Sequence, residues 1–106
     1  MNEIDQNTIE LIRERIHKKN PEAEIILFGS RAREQENLNS DRDILILLNI
    51  PYVNRKIEKE YREKIFEVEL ETGEPISTLV FSKQDWIDRH SFTPLFENIQ
   101  RDGIYL

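Results

Sequence analysis

The fold is decided by EIILFGSRAR, residues 24–33, and by DRDILILL, residues 41–48. The first stretch opens with a short apolar run of β type, which Gly29 ends. The second is apolar at five consecutive positions, and a strand of that kind is usually central, with helices over both of its faces. Residues 34–40 are polar and are predicted to form the loop between the two strands.

Strand-like and helix-like patterns alternate along the rest of the chain. Isoleucines at spacings of three and four, Ile9, Ile12 and Ile16, indicate an amphipathic helix. Helices are predicted at 7–19, 30–33 and 53–70 and from the capping residues Ser82 and Thr93, and strands at 24–28, 43–48 and 76–81. The last three residues are expected to form either a tail or a short edge strand. The order α-β-α-β-α-β-α-α predicts an α/β or α+β fold, with helices packed against a sheet.

Length and charge narrow the classes of function. A chain of 106 residues predicts one domain spanning residues 1–106, and its net charge of −6 argues against duplex nucleic acid as a partner. The N-terminus resembles no targeting signal, and the longest apolar run, Ile44 to Leu48, is far below the roughly 20 residues that span a bilayer. The chain has no cysteine, which fits a reducing compartment. From these features we expect a cytoplasmic protein that does not enter membranes.

An acidic pair precedes the second strand. Asp41 and Asp43 are two residues apart, so in an extended chain their side chains lie on the same side, with Cα atoms about 6–7 Å apart. Carboxylates this close repel each other unless a cation lies between them, and Mg²⁺ prefers such oxygen ligands together with substrate phosphates. An isolated Asp-x-Asp is more often a solvated turn, so the pair gains meaning only from its surroundings.

A glycine and a serine follow the first strand directly. Gly29 has no Cβ and lets the backbone approach a ligand closely. Ser30 is predicted to stand near a helix start, where its hydroxyl and nearby N–H groups could hold a phosphate oxygen. Arg31 and Arg33 are near enough to add charge-assisted hydrogen bonds. Alone, a Gly-Ser after a strand is usually only a turn; with the acidic pair it favours a nucleotide site.

Ten residues separate the serine of GSRAR from Asp41, and Asp-x-Asp leads an apolar strand. In these features the sequence resembles the minimal nucleotidyltransferases, of antitoxin type, in the DNA polymerase β superfamily. The resemblance implies a nucleotidyltransferase fold, a small mixed sheet flanked by helices. It implies that Ser30 contacts nucleotide phosphate beside Gly29, and that Asp41 and Asp43 ligate Mg²⁺. These two aspartates are then the catalytic residues.

The same resemblance implies an activity and a partner. The activity is metal-dependent transfer of a nucleoside monophosphate from a nucleoside triphosphate, expected to be ATP, to an acceptor hydroxyl. Many relatives act as the antitoxin of a small helical partner of the HEPN type, which would then supply the hydroxyl. The alternative is a binding module of the same fold that has lost turnover and neutralises this partner by binding alone.

The sequence departs from the family pattern at the third carboxylate. Active members carry another acid on a later strand, where it helps to deprotonate the acceptor hydroxyl. Here that position falls at Ser77 or Thr78, and neither is a strong metal ligand or a base at neutral pH. Glu74 is the nearest substitute, although it precedes a proline and is expected to be a loop residue. Glu34, in place of a glycine, is expected to change the loop rather than the chemistry.

Two other kinds of residue were candidates for function. His17 lies off the apolar stripe of its helix and is expected to be solvated. His90 precedes a helix cap without a partner ligand nearby, so a surface or capping role is expected for it. The aromatic residues near the C-terminus are expected to belong to the core or to a protein interface. Less often, such residues line a pocket for the nucleobase. They are Trp86, Phe92, Phe96 and Tyr105.

Overall fold

The computed structural model describes residues 3–28 and 42–106. Within these ranges the elements follow one another as α1 (Glu3–Lys19), β1 (Glu24–Phe28), β2 (Arg42–Leu48), α2 (Arg55–Thr72), β3 (Ile76–Ser82), α3 (Lys83–His90), α4 (Pro94–Asp102) and β4 (Ile104–Tyr105). All the elements predicted in these ranges are present, and the helix expected at 30–33 lies outside them. The last residues form a short strand rather than a tail.

The four strands form one mixed sheet in the order β3-β2-β1-β4. β1 pairs antiparallel with β2 and with β4, whereas β2 and β3 run parallel. The parallel pair needs a crossover, and α2 provides it. The prediction of a small mixed sheet flanked by helices is therefore confirmed.

Helices cover both faces of the sheet. On one face, α1 and α2 pack on alternate strand residues that include Ile25, Ile44 and Ile46. On the other face, α3 and α4 pack on the residues between them, Ile26 and Leu45 among these. Five consecutive residues of β2, Ile44–Leu48, are buried. This is the central strand that its unbroken apolar run predicts.

Side-chain caps determine where the helices after β2 begin. Asn54 Oδ1 accepts a hydrogen bond from Ile57 N at 2.8 Å, so α2 starts two residues later than its apolar pattern suggested. Ser82 and Thr93 cap α3 and α4 as expected, with Pro94 in the first turn of α4. Gly73 ends α2 at a φ of 74°, a conformation that a residue with a Cβ adopts only with strain.

Ion pairs join α1 to α2 at the surface. Arg15 pairs with Glu67 at 3.0 Å and also with Glu71, and Lys19 pairs with Glu60 at 3.1 Å. Such partly exposed pairs contribute about 0–1 kcal/mol each, so the apolar contacts beneath them dominate the packing. No helix in the described ranges combines the length and apolar composition that a membrane span requires.

Gly103 lies where α4 meets β1, and its replacement tests this packing. A Cβ at Gly103 would lie 2.5 Å from the carbonyl oxygen of Ile99 and 2.7 Å from Cγ2 of Ile26. We expect Gly103→Ala to lower the free energy of unfolding by about 1–3 kcal/mol, as overpacked cores do. Urea denaturation measures this loss. Gln100→Ala, on the exposed side of α4, is the control and should change stability by less than about 0.5 kcal/mol. Equal stability of the two variants would contradict the tight contact.

Candidate active site

The candidate site is built around the start of β2, where Asp43 is half-buried. In the sheet, Asp43 lies opposite Phe28 of β1 and opposite Ser77 of β3. Residues that face each other across neighbouring strands point to the same side of a sheet. Phe28, Asp43 and Ser77 therefore share one face, the one that α3 and α4 cover farther along the strands.

The register distinguishes the two positions proposed for the third carboxylate. Ser77 is exposed and lies beside Asp43, in a neighbouring strand about 4.8 Å away. Thr78 is only 8% exposed and lies opposite Ile44, on the face that α1 and α2 cover. Of the two residues, only Ser77 shares the face of Asp43. The sequence alone did not distinguish Ser77 from Thr78.

Two glutamates near the start of β3 make contacts within the fold. Glu74 Oε2 accepts a hydrogen bond of 2.6 Å from Thr8 Oγ1, and Thr8 is fully buried in α1. Glu69 Oε1 accepts one of 2.8 Å from Ile76 N and so anchors the first residue of β3. Glu74 is a loop residue, as expected, and its carboxylate is directed to α1. The sequence carried no signal for the role of Glu69, because its partner is a backbone group in the next element.

The other predicted site residues lie outside the described ranges. They are Gly29, Ser30, Arg31, Arg33 and Asp41, and their assigned roles stay predictions. Within the described residues, no three His, Asp or Glu side chains gather as a metal cluster. Chain connectivity still constrains the site, because Gly29 follows Phe28 directly and Phe28 is paired with Asp43.

An open cavity of about 460 Å³ adjoins Ser77 at the outer side of β3. It lies between the start of this strand and the middle of α2. Its lining residues are Arg62, Ile65, Phe66, Glu69, Ile76, Ser77 and Thr78. Phe66 is 56% exposed, so the cavity has an apolar rim.

The histidines and aromatic residues take mainly structural positions. The ring of His90 lies 4.6 Å from that of Phe81 and 5.4 Å from that of Trp86, in a cluster on the α3 side of the sheet. His17 Nε2 lies 3.0 Å from the carbonyl oxygen of Ala23. Both histidines are half-buried, so His17 is less solvated than expected. Of the candidate base-pocket residues, Trp86 is buried, Phe96 is partly buried against it, and Phe92 and Tyr105 are exposed.

Comparison with known proteins identifies the family. The sequence profile of the nucleotidyltransferase domain matches residues 9–101. This chain belongs to the nucleotidyltransferase domain family. The match extends from α1 into α4 and includes Asp43, Ser77 and the whole segment between β1 and β2. It confirms the resemblance seen in GSRAR and Asp-x-Asp at the level of the family.

A solved structure supports the same fold. The nucleotidyltransferase chain resembles one described as a toxin–antitoxin with AMP-PNP, with a TM-score of 0.63 and 17% sequence identity. The likeness covers 93% of this chain and 69% of that one. At this identity it shows the fold alone. No curated protein sequence matches the chain significantly.

The register of this nucleotidyltransferase domain predicts losses of stability of different size at two adjacent residues. Thr78→Asp would bury a carboxylate on the α1/α2 face and should cost about 3–5 kcal/mol of unfolding free energy, the range for an uncompensated buried charge. Ser77→Asp adds an exposed charge beside Asp43 and should cost less than about 1 kcal/mol. Urea denaturation of both, with Thr78→Val and Ser77→Asn as uncharged controls, measures the difference. Equal losses would show that the two side chains do not lie on opposite faces.

Proposed function

We propose that this domain is a metal-dependent nucleotidyltransferase that transfers a nucleoside monophosphate from a nucleoside triphosphate to a hydroxyl on a partner protein. One observation carries the proposal: Asp43 stands at the start of the central strand, opposite the residue that leads into Gly29 and Ser30. The proposed metal ligand Asp43 is thus paired, across neighbouring strands, with the residue that directly precedes the proposed phosphate-binding residues. The family match over residues 9–101 supports the class of reaction.

The residues present suit Mg²⁺. Asp43 offers a half-buried carboxylate at a strand end, and Asp41 precedes it by two residues, so both offer the hard oxygen ligands that this ion takes. When bound, the ion would screen the phosphate charges and polarise the phosphoryl oxygens. Ser30, with the backbone from Gly29 onward, would hold the phosphates.

Arg31 and Arg33 complete the proposed phosphate site. During transfer, an acceptor oxygen forms a bond to the α-phosphorus of the triphosphate. The bond between that phosphorus and the oxygen that bridges to the β-phosphorus breaks, and pyrophosphate leaves with the electron pair. Either arginine could neutralise the charge that develops on the leaving oxygens. The acceptor proton would pass to solvent water, because Ser77 supplies no base beside Asp43.

The choice of nucleotide and partner draws on the resemblance. The similar solved structure is described as a toxin–antitoxin with AMP-PNP, and AMP-PNP is an analogue of ATP. We therefore take ATP as the nucleotide and a toxin of the HEPN type as the protein that carries the acceptor hydroxyl. This chain would be its antitoxin.

Ser77 favours a second candidate function, a binding module that neutralises the same partner without turnover. A positioned base typically contributes about 10²–10⁴-fold to such a reaction, and a serine beside Asp43 cannot replace it. The two candidates share the nucleotide site and the partner. They differ in whether a nucleoside monophosphate is found on the partner after incubation with the triphosphate.

The nucleotide site is tested by titration. In the wild type, Mg²⁺-ATP at millimolar concentration should move the amide resonances of residues 28–44. Asp43→Asn should abolish the shifts, because a neutral amide is a poorer ligand for Mg²⁺ than a carboxylate. Asp88→Asn, which changes an exposed aspartate on α3, is the matched control and should behave as the wild type. If none of the common triphosphates moves these resonances, the nucleotide site is refuted.

Activity is tested by restoring the missing acid. The chain is purified with the protein encoded by the neighbouring gene, and α-labelled ATP and Mg²⁺ are added. Label on the neighbour should be weak with the wild type and should rise, by up to about 10²–10⁴-fold, with Ser77→Asp. Ser77→Asn is the control of similar size, and Glu74→Gln should leave transfer unchanged. Robust transfer by the wild type that Ser77→Asp does not increase would exclude the inactive module.

A further inference from the structure

The order of the strands divides the surroundings of Asp43 into two sides. β2 lies between β1 and β3. On one side, β1 leads into the residues proposed above to hold the phosphates, and this step rests on that proposed function. In phosphoryl transfer the attacking and leaving oxygens lie roughly in line on opposite sides of the phosphorus. If pyrophosphate leaves toward β1, the acceptor hydroxyl must arrive from the side of β3.

On the side of β3, α2 exposes two large apolar residues. Phe66 is 56% exposed and Leu70 is 69% exposed, and a spacing of four places them on one side of the helix. Phe66 also lines the 460 Å³ cavity that reaches Ser77. An exposed pair of this size beside a concave site is typical of a protein interface.

Basic residues extend this apolar pair toward the start of α2. Arg55, Lys59 and Arg62 line a second hollow with Phe66, where they outnumber the acidic residues Glu58 and Glu63. Arg62 pairs with Glu58 at 3.1 Å and Lys59 with Glu63 at 3.9 Å, whereas Arg55 makes no ion pair within the described part of the chain. The excess of positive charge is local, because the whole chain carries −6.

We propose that this side of α2 is the docking surface for the protein that carries the acceptor hydroxyl. The surface, called here the α2 surface, consists of Arg55, Lys59, Arg62, Phe66 and Leu70. Its occupant is a segment of the acceptor protein with an apolar anchor against Phe66 and Leu70 and with acidic residues toward Arg55. The cavity extends from Phe66 to Ser77, the residue of β3 that lies opposite Asp43 in the sheet.

Other exposed apolar residues fit the acceptor less well. Tyr105, 64% exposed, belongs to β4 at the opposite edge of the sheet. Tyr52 and Phe92 are more exposed still, at 72% and 87%, but neither lines the 460 Å³ cavity that reaches Ser77. Position relative to Asp43, rather than exposure alone, therefore selects the α2 surface. Tyr105 is a suitable control because it is equally accessible and far from β3.

The test uses the chain with the purified protein encoded by the neighbouring gene as the acceptor. The double variant Phe66→Ala/Leu70→Ala should weaken binding of this protein by at least about 10-fold, the scale of an interface hot spot, and should raise the KM for it by a similar factor. Tyr105→Ala should change neither quantity. Arg55→Glu should slow association most at low salt, because charge complementarity acts mainly on the rate of encounter. All these changes lie at exposed positions, and urea midpoints should confirm that the fold is retained.

The measurements separate this inference from the function on which it rests. Mg²⁺-ATP titration of the double variant should still move residues 28–44 as in the wild type. Wild-type affinity for the acceptor protein in the double variant, or an equal loss in Tyr105→Ala, would overturn the α2 surface and leave the nucleotide site intact. If the wild type forms a homodimer that the double substitution disrupts while affinity for the acceptor protein is unchanged, the α2 surface binds a second copy of this chain instead of the acceptor protein. Failure of the wild type to bind nucleotide would remove the proposed function and this inference together.

Discussion

The central strand β2 has apolar side chains on both faces, and a shift of one residue relative to β1 or β3 would reverse the direction of each. Such a shift would carry Ile44 and Ile46 away from the α1/α2 core and would bring Leu45 and Leu47 into it. Burial on both sides therefore fixes the register. The position of Asp43, the first residue before the buried run, follows from that register. The polar site at the strand end is held in place by apolar packing several residues away.

Hydrogen bonds at the ends of α2 and β3 support the register of the sheet. The cap at Asn54 and the left-handed Gly73 determine the length of α2, and α2 determines where β3 can begin. The hydrogen bond from Ile76 N to Glu69 then fixes the first residue of β3. Each contact contributes on the order of 1 kcal/mol, and together they support the register that the buried apolar residues fix. In that register the residue of β3 opposite Asp43 is Ser77.

Much of the fold was predictable because its signals are local. Apolar runs marked the strands, the spacing of isoleucines marked α1, and capping residues such as Ser82 and Thr93 marked the later helices. What was not predictable depended on pairing between distant segments. Whether Ser77 or Thr78 faces Asp43 is decided by the register of β2 with β3, which neither strand encodes alone. The role of Glu69 depends on a backbone group seven residues away, and the packing of His90 depends on Phe81 in another element. The motif residues 29–33 and 41 were predicted from sequence resemblance, and their roles remain predictions.

The crossover through α2 also has a consequence for folding. β1 and β2 are close in sequence and can pair as a hairpin-like unit, whereas β2 and β3 pair only after the whole of α2 has been made and packed. Contacts between distant segments form slowly, and chains synthesised from the N-terminus acquire them last. During translation, Asp43 would therefore leave the ribosome well before its neighbour Ser77. A nascent chain would contain the motif residues without the strand beside which an acceptor is proposed to dock, and recognition of a partner would have to wait until β3 has been synthesised.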